Sequence, residues 1–221
     1  MKKESSLLVI GNILILITII ITALQIVAFD RQYYYQEYEK YNIIEETNMN
    51  IEDLKNVTMV LLDYTEGKRN DLECWVSVNG NFGQFYNEKE SIHMEDVRNL
   101  YLNALFFRNC ALIIGLIIYG FNIKKREIFH SSLKKALEFL VLIIGFIVIY
   151  AIVDFSSFWL NFHYLFFTNE LWLLNPATDN LILLFPEEFF ADLLLRILLF
   201  CGVGITIYSF IIYLLGRKNE S

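Results

Sequence analysis

The sequence predicts an α-helical integral membrane protein with four transmembrane helices and a small α/β extracellular subdomain between helices 1 and 2. Three observations lead to this fold class. Apolar residues make up 56% of the 221 residues and are gathered into four blocks. The basic residues outside those blocks cluster in three segments, and the stretch between the first two blocks is polar and rich in acids.

The first block, residues 7–29, contains 23 residues without a charge. As a helix it is about 34 Å long, which exceeds the hydrocarbon core of about 30 Å. It follows Lys2 and Lys3 and has no small-residue cleavage site, so it is predicted to be an uncleaved anchor rather than a signal peptide. Residues 1–29 therefore form a cytoplasmic tail and the first transmembrane helix.

The other three blocks predict transmembrane helices over 99–123 and 136–155 and within 191–221. The second block contains Arg108. The uninterrupted stretch 110–123 has 14 residues, about 21 Å as a helix, and is too short to span. The second helix must therefore carry Arg108 near its outer end.

The charges between the blocks fix the orientation. The N-tail, the loop 124–135 and the C-tail together hold nine Lys or Arg against three acids, whereas 156–190 holds four acids and neither Lys nor Arg. The positive-inside rule places both termini and the 124–135 loop in the cytoplasm. Residues 30–98 and 156–190 are then extracellular, and the localisation implied is a plasma membrane with multiple passes.

The first extracellular segment, 30–98, has 15 acids and 7 bases and is predicted to fold as a small subdomain. Asn50 precedes apolar residues at helical spacing and predicts a helix start. The Asn-Gly pair at 79–80 predicts a hairpin turn between two short strands. A second helix is expected to begin at Asn87 or Ser91 and to lead into the second span.

The second extracellular segment, 156–190, is dense in aromatic residues. Starting at Phe155, nine aromatic residues precede the pair Phe189-Phe190. Aromatic rings favour the membrane–water interface, and Pro176 and Pro186 break any continuous helix. The segment is therefore expected to be an interfacial or re-entrant loop on the outer leaflet.

Two of the three histidines, His93 and His163, lie in the two extracellular segments, whereas His130 lies in the cytoplasmic loop. On a helix, Glu90 and Asp96 flank His93 and are positioned to orient its ring, as a general base requires. The alternatives for the pair are an exposed histidine among helix-surface acids and an interfacial histidine among aromatic residues. The predicted common compartment favours acid–base chemistry on a lipid head or an acyl ester.

Arg108 is costly inside a span unless it is paired or functional. It is predicted either to hold a carbonyl or an anionic lipid head, or to pair with Asp154 or Asp192.

Several function classes are disfavoured. The net charge of −7 argues against nucleic-acid binding. The three cysteines, Cys74, Cys110 and Cys201, have no metal-binding spacing, and no nucleotide-binding or zinc-protease motif is present. The chemistry is therefore expected to need no cofactor, metal or nucleotide.

Several short motifs occur in a characteristic order along the chain: Glu90-Ser-Ile-His93-Met-Glu-Asp96-Val97, Phe162-His163-Tyr-Leu-Phe166-Phe167, Trp172, Asp179 and Phe185-Pro186-Glu-Glu-Phe189-Phe190. In order, spacing and topology, over nearly the whole chain, they resemble the bacterial lipoprotein intramolecular transacylases, the Lit family. The resemblance implies a diacylglyceryl-modified lipoprotein as the substrate. It also implies transfer of the sn-2 acyl chain to the α-amino group of the N-terminal Cys, which yields the lyso-form lipoprotein.

The resemblance carries the catalytic role onto His93 and His163. Glu90, Asp96, Arg108 and Asp179 are expected to be supporting or substrate-binding residues. The α-amino group has a reference pKa of about 7.7–8 and needs a base at pH 7. His93 is expected to be that base, and His163 to supply either the oxyanion donor or the proton for the leaving alkoxide. Two alternatives stay open: another lipid-ester transferase or hydrolase, and a non-catalytic membrane adaptor or receptor.

Overall fold

The structure is a computed structural model that describes residues 2–216, with side chains from residue 6 onward. The basic residues Lys2, Lys3, Arg217 and Lys218, which contributed to the predicted orientation, have side chains outside the described part. The elements are α1 (Lys2–Ala28), α2 (Arg31–Lys40), α3 (Ile43–Thr47), α4 (Ile51–Thr65), β1 (Trp75–Val78), β2 (Asn81–Gln84), α5 (Glu88–Asn122), a 3-10 turn (Arg126–Ile128), α6 (Phe129–Val153), α7 (Phe155–Phe166), α8 (Leu181–Leu184) and α9 (Glu187–Gly216).

Four helices, α1, α5, α6 and α9, are long and apolar enough to cross a membrane. This confirms the predicted fold class. Helix α5 has 35 residues and is about 52 Å long, well beyond the thickness of a hydrocarbon core. Six of its first eleven residues are charged, so the first three turns of the helix are polar and its apolar part follows them.

The chain divides into two compact units. We call the first the helical unit; it comprises Met1–Ile26, Ala104–Phe158 and Leu195–Ser221. The second, the mixed unit, comprises Val27–Asn103 and Trp159–Leu194.

A buried polar node joins all four long helices within the helical unit. Asn12 on α1 is fully buried and donates to the Leu8 carbonyl at 2.7 Å and to the Ser132 hydroxyl of α6 at 3.2 Å. Its amide oxygen accepts the hydroxyls of Tyr119 on α5 and Tyr208 on α9, each at 2.7 Å. Polar groups have no water to bond inside a bilayer, so each must find a partner in the protein. One asparagine thus fixes the register of four helices.

Small residues let the helices approach closely around this node. A Cβ at Gly115 of α5 would lie 2.8 Å from the Ile15 side chain and 3.3 Å from the Gly11 carbonyl of α1. A Cβ at Gly204 of α9 would lie 2.6 Å from Ile19. Close packing of this kind replaces the hydrophobic effect as the force between membrane helices.

The mixed unit has its own core, formed largely by tyrosines of α2 and apolar residues of α4. Tyr38 is fully buried, and its hydroxyl bonds with that of Thr58 at 2.9 Å. Helix α4 begins as predicted, with the Asn50 side chain accepting the Asp53 N–H at 2.8 Å. Helices α2 and α3 were not predicted. Consecutive tyrosines are weak helix formers, and burial in this core stabilises α2 instead.

The predicted hairpin is present as the antiparallel pair β1–β2, with Val78 opposite Asn81. Asn79 and Gly80 both have positive φ, 51° and 77°, as a two-residue type I′ turn requires. The aromatic segment differs from the expected loop, because its first part is helix α7. Asp154 begins that helix by accepting the Ser157 N–H at 2.9 Å, and the first proline comes only at Pro176, well after the helix ends.

Replacing Asn12 by leucine should lower stability by about 1–2 kcal/mol. Two tyrosine hydroxyls lose the acceptor that they share and keep only their bond to each other, and the Ser132 hydroxyl loses a donor while it still bonds the Phe129 carbonyl. The thermal midpoint in detergent, followed by thiol-dye labelling of the buried Cys201, measures this change. The control is Thr206→Val, since this exposed hydroxyl bonds only the carbonyl of Gly202 in its own helix. Equal midpoints for the two variants would contradict a special role for the node.

Candidate active site

His93 lies at the start of α5, one turn beyond a reciprocal helix cap. The Asn87 side chain accepts the Glu90 N–H at 2.9 Å, and the Glu90 carboxylate accepts the Asn87 N–H at 2.7 Å. This is a capping box with asparagine as the N-cap and glutamate at the third helical position. His93 follows three residues later and is buried, with 7% of its surface exposed.

The second oxygen of the Glu90 carboxylate accepts the backbone N–H of Leu181, the first residue of α8. Glu90 is completely buried and therefore links the start of α5 to the start of α8. Burial raises the pKa of this carboxyl, and the hydrogen bonds from Leu181 and Asn87 oppose that rise. The sequence predicted that Glu90 would orient His93, but its hydrogen bonds go to the backbone instead.

Asp179 makes a second link between the aromatic segment and α5. It is 4% exposed and accepts the Asn175 N–H at 2.7 Å, the Asn87 amide at 2.9 Å and the Lys89 ammonium at 3.1 Å. Burial alone would raise the pKa of Asp179, but these donors outweigh it and hold the pKa at about 2. The carboxylate is thus ionised and fixes the chain before α8 to the first turn of α5.

Asp96 makes a third link. Its carboxylate accepts the side-chain amide of Asn169 at 2.8 Å. The backbone carbonyl of Asn169 in turn accepts a hydrogen bond from the indole N–H of Trp172 at 2.8 Å. The Trp172 ring stacks on His163, with centroids 4.8 Å apart and planes inclined by 27°.

These links accompany the convergence of His93 and His163, which are 70 positions apart in the sequence. Their ring centroids lie 6.2 Å apart, and both side chains are buried. Phe167 contacts both rings, at 5.3 Å from His93 and 5.6 Å from His163. The pair therefore sits in one small aromatic enclosure within the mixed unit.

The hydrogen bonds of His163 determine its tautomer. Its Nδ1 lies 2.8 Å from the Trp159 carbonyl, which can only accept, so Nδ1 carries the proton. The lone pair is then on Nε2. Burial lowers the pKa of His163, and the Trp159 carbonyl partly offsets this. The residue is therefore neutral at pH 7, with one nitrogen able to accept a proton.

His93 has a buried Nδ1 with no hydrogen-bond partner among the described residues. Burial is the largest cause that lowers its pKa, to about 4; His163 and Lys89 act in the same direction, and Asp96 opposes them. The imidazole is neutral at pH 7. Buried polar atoms are nearly always paired in native proteins, so an unpaired one beside a second histidine marks a place for a substrate group.

Arg108 belongs to the helical unit. Its guanidinium donates to the amide oxygens of Gln25 and Asn109. The predicted pairing with Asp154 or Asp192 is therefore wrong. Two neutral amides satisfy the charge within the bundle instead.

Sequence reasoning missed Asn87, Phe167, Asn169 and Trp172 as structural partners of the site. The Asn-x-x-Glu spacing at 87–90 is a capping-box signal that identifies the first of them. The contacts of the other three depend on tertiary packing. Within the described part of the chain, no group of three or more His, Cys, Asp or Glu is placed to hold a metal ion.

Glu90→Ala should reduce the free energy of unfolding by about 2–4 kcal/mol, because it leaves two buried backbone N–H groups unpaired. Chemical denaturation in detergent measures the change. Glu95→Ala is the matched control, since Glu95 is exposed on the same helix. A loss no larger than that of the control would refute the linking role of Glu90.

The lowered pKa of His93 predicts a pH dependence of stability. The unfolded imidazole binds a proton near pH 6.5 and the folded one only near pH 4, so stability should fall as the pH drops through this window. The effect is about 3 kcal/mol at most. The thermal midpoint of His93→Gln should therefore fall less between pH 6.5 and 4 than that of the unmodified protein. His130→Gln, at an exposed position, should follow the unmodified protein. Parallel curves for His93→Gln and the unmodified protein would contradict this.

Comparison with known proteins agrees with this architecture. The sequence profile of the lipoprotein intramolecular transacylase Lit family matches residues 9–190. No curated protein sequence gives a significant match.

Solved structures of the membrane integral lipoprotein intramolecular transacylase Lit from Bacillus cereus share the fold. One, determined in meso, is 24% identical with a TM-score of 0.81, covering 100% of this chain and 99% of that one. A form with a histidine-to-alanine mutation is 23% identical with a TM-score of 0.79, covering 100% and 97%. A histidine-to-arginine form is 21% identical with a TM-score of 0.78, covering 97% and 92%. With the family profile spanning most of its length, the chain belongs to the lipoprotein intramolecular transacylase family and is a membrane acyltransferase.

Proposed function

We propose that His93 and His163 together move the sn-2 acyl chain of a diacylglyceryl-modified lipoprotein to the α-amino group of its N-terminal Cys. The product is the lyso-form lipoprotein. The observation that carries this proposal is the pair of buried, neutral imidazoles with ring centroids 6.2 Å apart. One carries its lone pair on Nε2, and the other has a buried Nδ1 without a hydrogen-bond partner among the residues that the structure describes.

His163 acts as the general base in this proposal, a role the sequence had suggested for His93. The α-ammonium of the substrate must lose a proton before the nitrogen attacks the ester carbonyl. Nε2 of His163 accepts that proton. The Trp159 carbonyl bonded to Nδ1 then stabilises the imidazolium that forms, just as a carboxylate or carbonyl partner does for other catalytic histidines.

His93 stabilises the negative charge that develops on the ester carbonyl oxygen. With its proton on Nδ1, it donates a hydrogen bond to the tetrahedral intermediate from a buried position, where such a bond is stronger than in water. Attack of the neutral amine forms the C–N bond of the tetrahedral intermediate, whose nitrogen carries one proton more than an amide. His163, having released the first proton to solvent, takes this second proton and passes it to the sn-2 oxygen as the C–O bond breaks. The ammonium and the ester thus give an amide, an alcohol and one free proton, without an enzyme nucleophile or a further reagent.

The intramolecular nature of the reaction explains why so few groups are needed. The amine and the ester belong to one substrate molecule, so holding them together supplies a large effective molarity. Glu90 and Asp179 contribute by fixing the two protein segments that carry the histidines. Arg108, a residue of the helical unit, has no assigned role in this mechanism.

We place the active site at the extracellular face of a bacterial plasma membrane, with both termini in the cytoplasm. The basic 124–135 loop supports this orientation, and the charge-poor aromatic segment 156–190 suits the outer interface. The subdomain 30–98 and that segment then meet lipoprotein and membrane lipids in the same leaflet.

The test compares His163→Gln and His93→Gln with a synthetic diacylglyceryl lipopeptide. His163→Gln should lower kcat by about 10²–10⁴-fold and His93→Gln by about 10²–10³-fold. Because the acyl transfer does not change the total mass, the product is identified by tandem mass spectrometry of the N-terminal Cys fragment. His130→Gln is the control and should retain full activity. Undiminished transfer in both site variants would refute the proposal, and release of free fatty acid would indicate a hydrolase.

A further inference from the structure

A groove of about 220 Å³ runs along the mixed unit next to the histidine pair. We call it the amide groove, because amide side chains dominate its polar lining. Its lining includes Asp96, Asn99, Asn103, Phe167, Thr168 and Asn169.

The amide groove is connected to the candidate active site by two of its own residues. Phe167 lines the groove and contacts both His93 and His163. Asp96 lines it too and lies one helical turn after His93. Asp96, Asn99 and Asn103 are separated by three and four positions, so they share one face of α5. The groove therefore leads away from the histidines along that helix.

The charge pattern of the groove suits a cation at one end and neutral polar groups beyond it. Asp96 accepts a hydrogen bond from the neutral amide of Asn169 and forms no salt bridge within the described part of the chain. A carboxylate beside buried, neutral imidazoles attracts a cationic group. Asn99 and Asn103 offer the donors and acceptors that peptide groups require. Leu100, Phe166 and Phe167 also line the groove, but five of its eight lining residues are polar, which favours a peptide over an acyl chain.

We propose that the amide groove binds the amino-terminal peptide of the substrate, and that Asp96 holds the α-ammonium of its Cys. Asn99 and Asn103 bond the first peptide groups. This inference rests on the proposed function, since it places the amine beside the histidines. The amine then gives one proton to Nε2 of His163, and Asp96 is a substrate-binding residue rather than a base.

The test uses ether-linked lipopeptides, which have no ester to transfer, so binding is measured on the unmodified enzyme without turnover. Two ligands are compared: one with a free α-amine and one in which this amine is absent. The unmodified enzyme should bind the amine form about tenfold more tightly. Asp96→Asn, which retains an oxygen for Asn169, should bind both forms equally, and Glu95→Gln should behave like the unmodified protein.

A second arm examines the peptide. Lengthening the ether lipopeptide from one residue to four should strengthen binding to the unmodified enzyme several-fold, and Asn99→Ala with Asn103→Ala should abolish that gain.

The inference is overturned if the amine or the added residues contribute nothing in the unmodified protein, or if Asp96→Asn leaves the preference for the amine intact. It is also overturned if phosphatidylethanolamine vesicles displace the amine ligand as well as a short lipopeptide does. Absence of the amine preference in an unmodified enzyme that still transfers the acyl chain normally rejects only this inference, whereas undiminished transfer in the histidine variants rejects only the proposed mechanism.

Discussion

The buried carboxylate of Glu90 is the interaction on which the candidate site depends. One of its oxygens closes the cap at the start of α5, and the other accepts the first N–H of α8. Burying this carboxylate disfavours its charged form and raises its pKa. Hydrogen bonds from two backbone N–H groups compensate for part of that cost. His93 follows one turn later on α5. The aromatic segment that contains His163 is tied to the same end of α5 by Asp179 and by Asp96.

This arrangement separates the charges that hold the segments together from the groups that do chemistry. The carboxylates bond backbone, amide or ammonium groups, whereas the two imidazoles are left neutral among aromatic rings. A neutral imidazole whose pKa is lowered by burial is a weaker base than one in water. The substrate ammonium suffers the same burial, which lowers its own pKa, although a carboxylate beside it, such as Asp96 in the proposed binding mode, acts in the opposite direction. Proton transfer between the two is therefore less disfavoured than either shift alone suggests.

Hydropathy and charge were sufficient to predict the four long helices, because both quantities can be read from a continuous stretch of the sequence. The nearness of His93 and His163 also followed from sequence, once both were assigned to one side of the membrane. The role of Glu90 did not follow. Its spacing from His93 predicts a shared helix face, but at the third position of a helix a glutamate turns back to cap its own N-terminus. The partners of Arg108 were mispredicted because uncharged amides satisfied it.

The aromatic rings around the pair explain why this site is suited to transfer rather than hydrolysis. Trp159, Phe167 and Trp172 pack directly on His163, and Phe167 also covers His93. A base that activates an amine would equally activate a water molecule in its place. Rings on several sides leave little room for ordered water, and they provide no hydrogen bonds to hold it. In the proposed mechanism, an amine delivered on the same molecule as the ester is also present at a high effective concentration, which favours attack by the amine over attack by water.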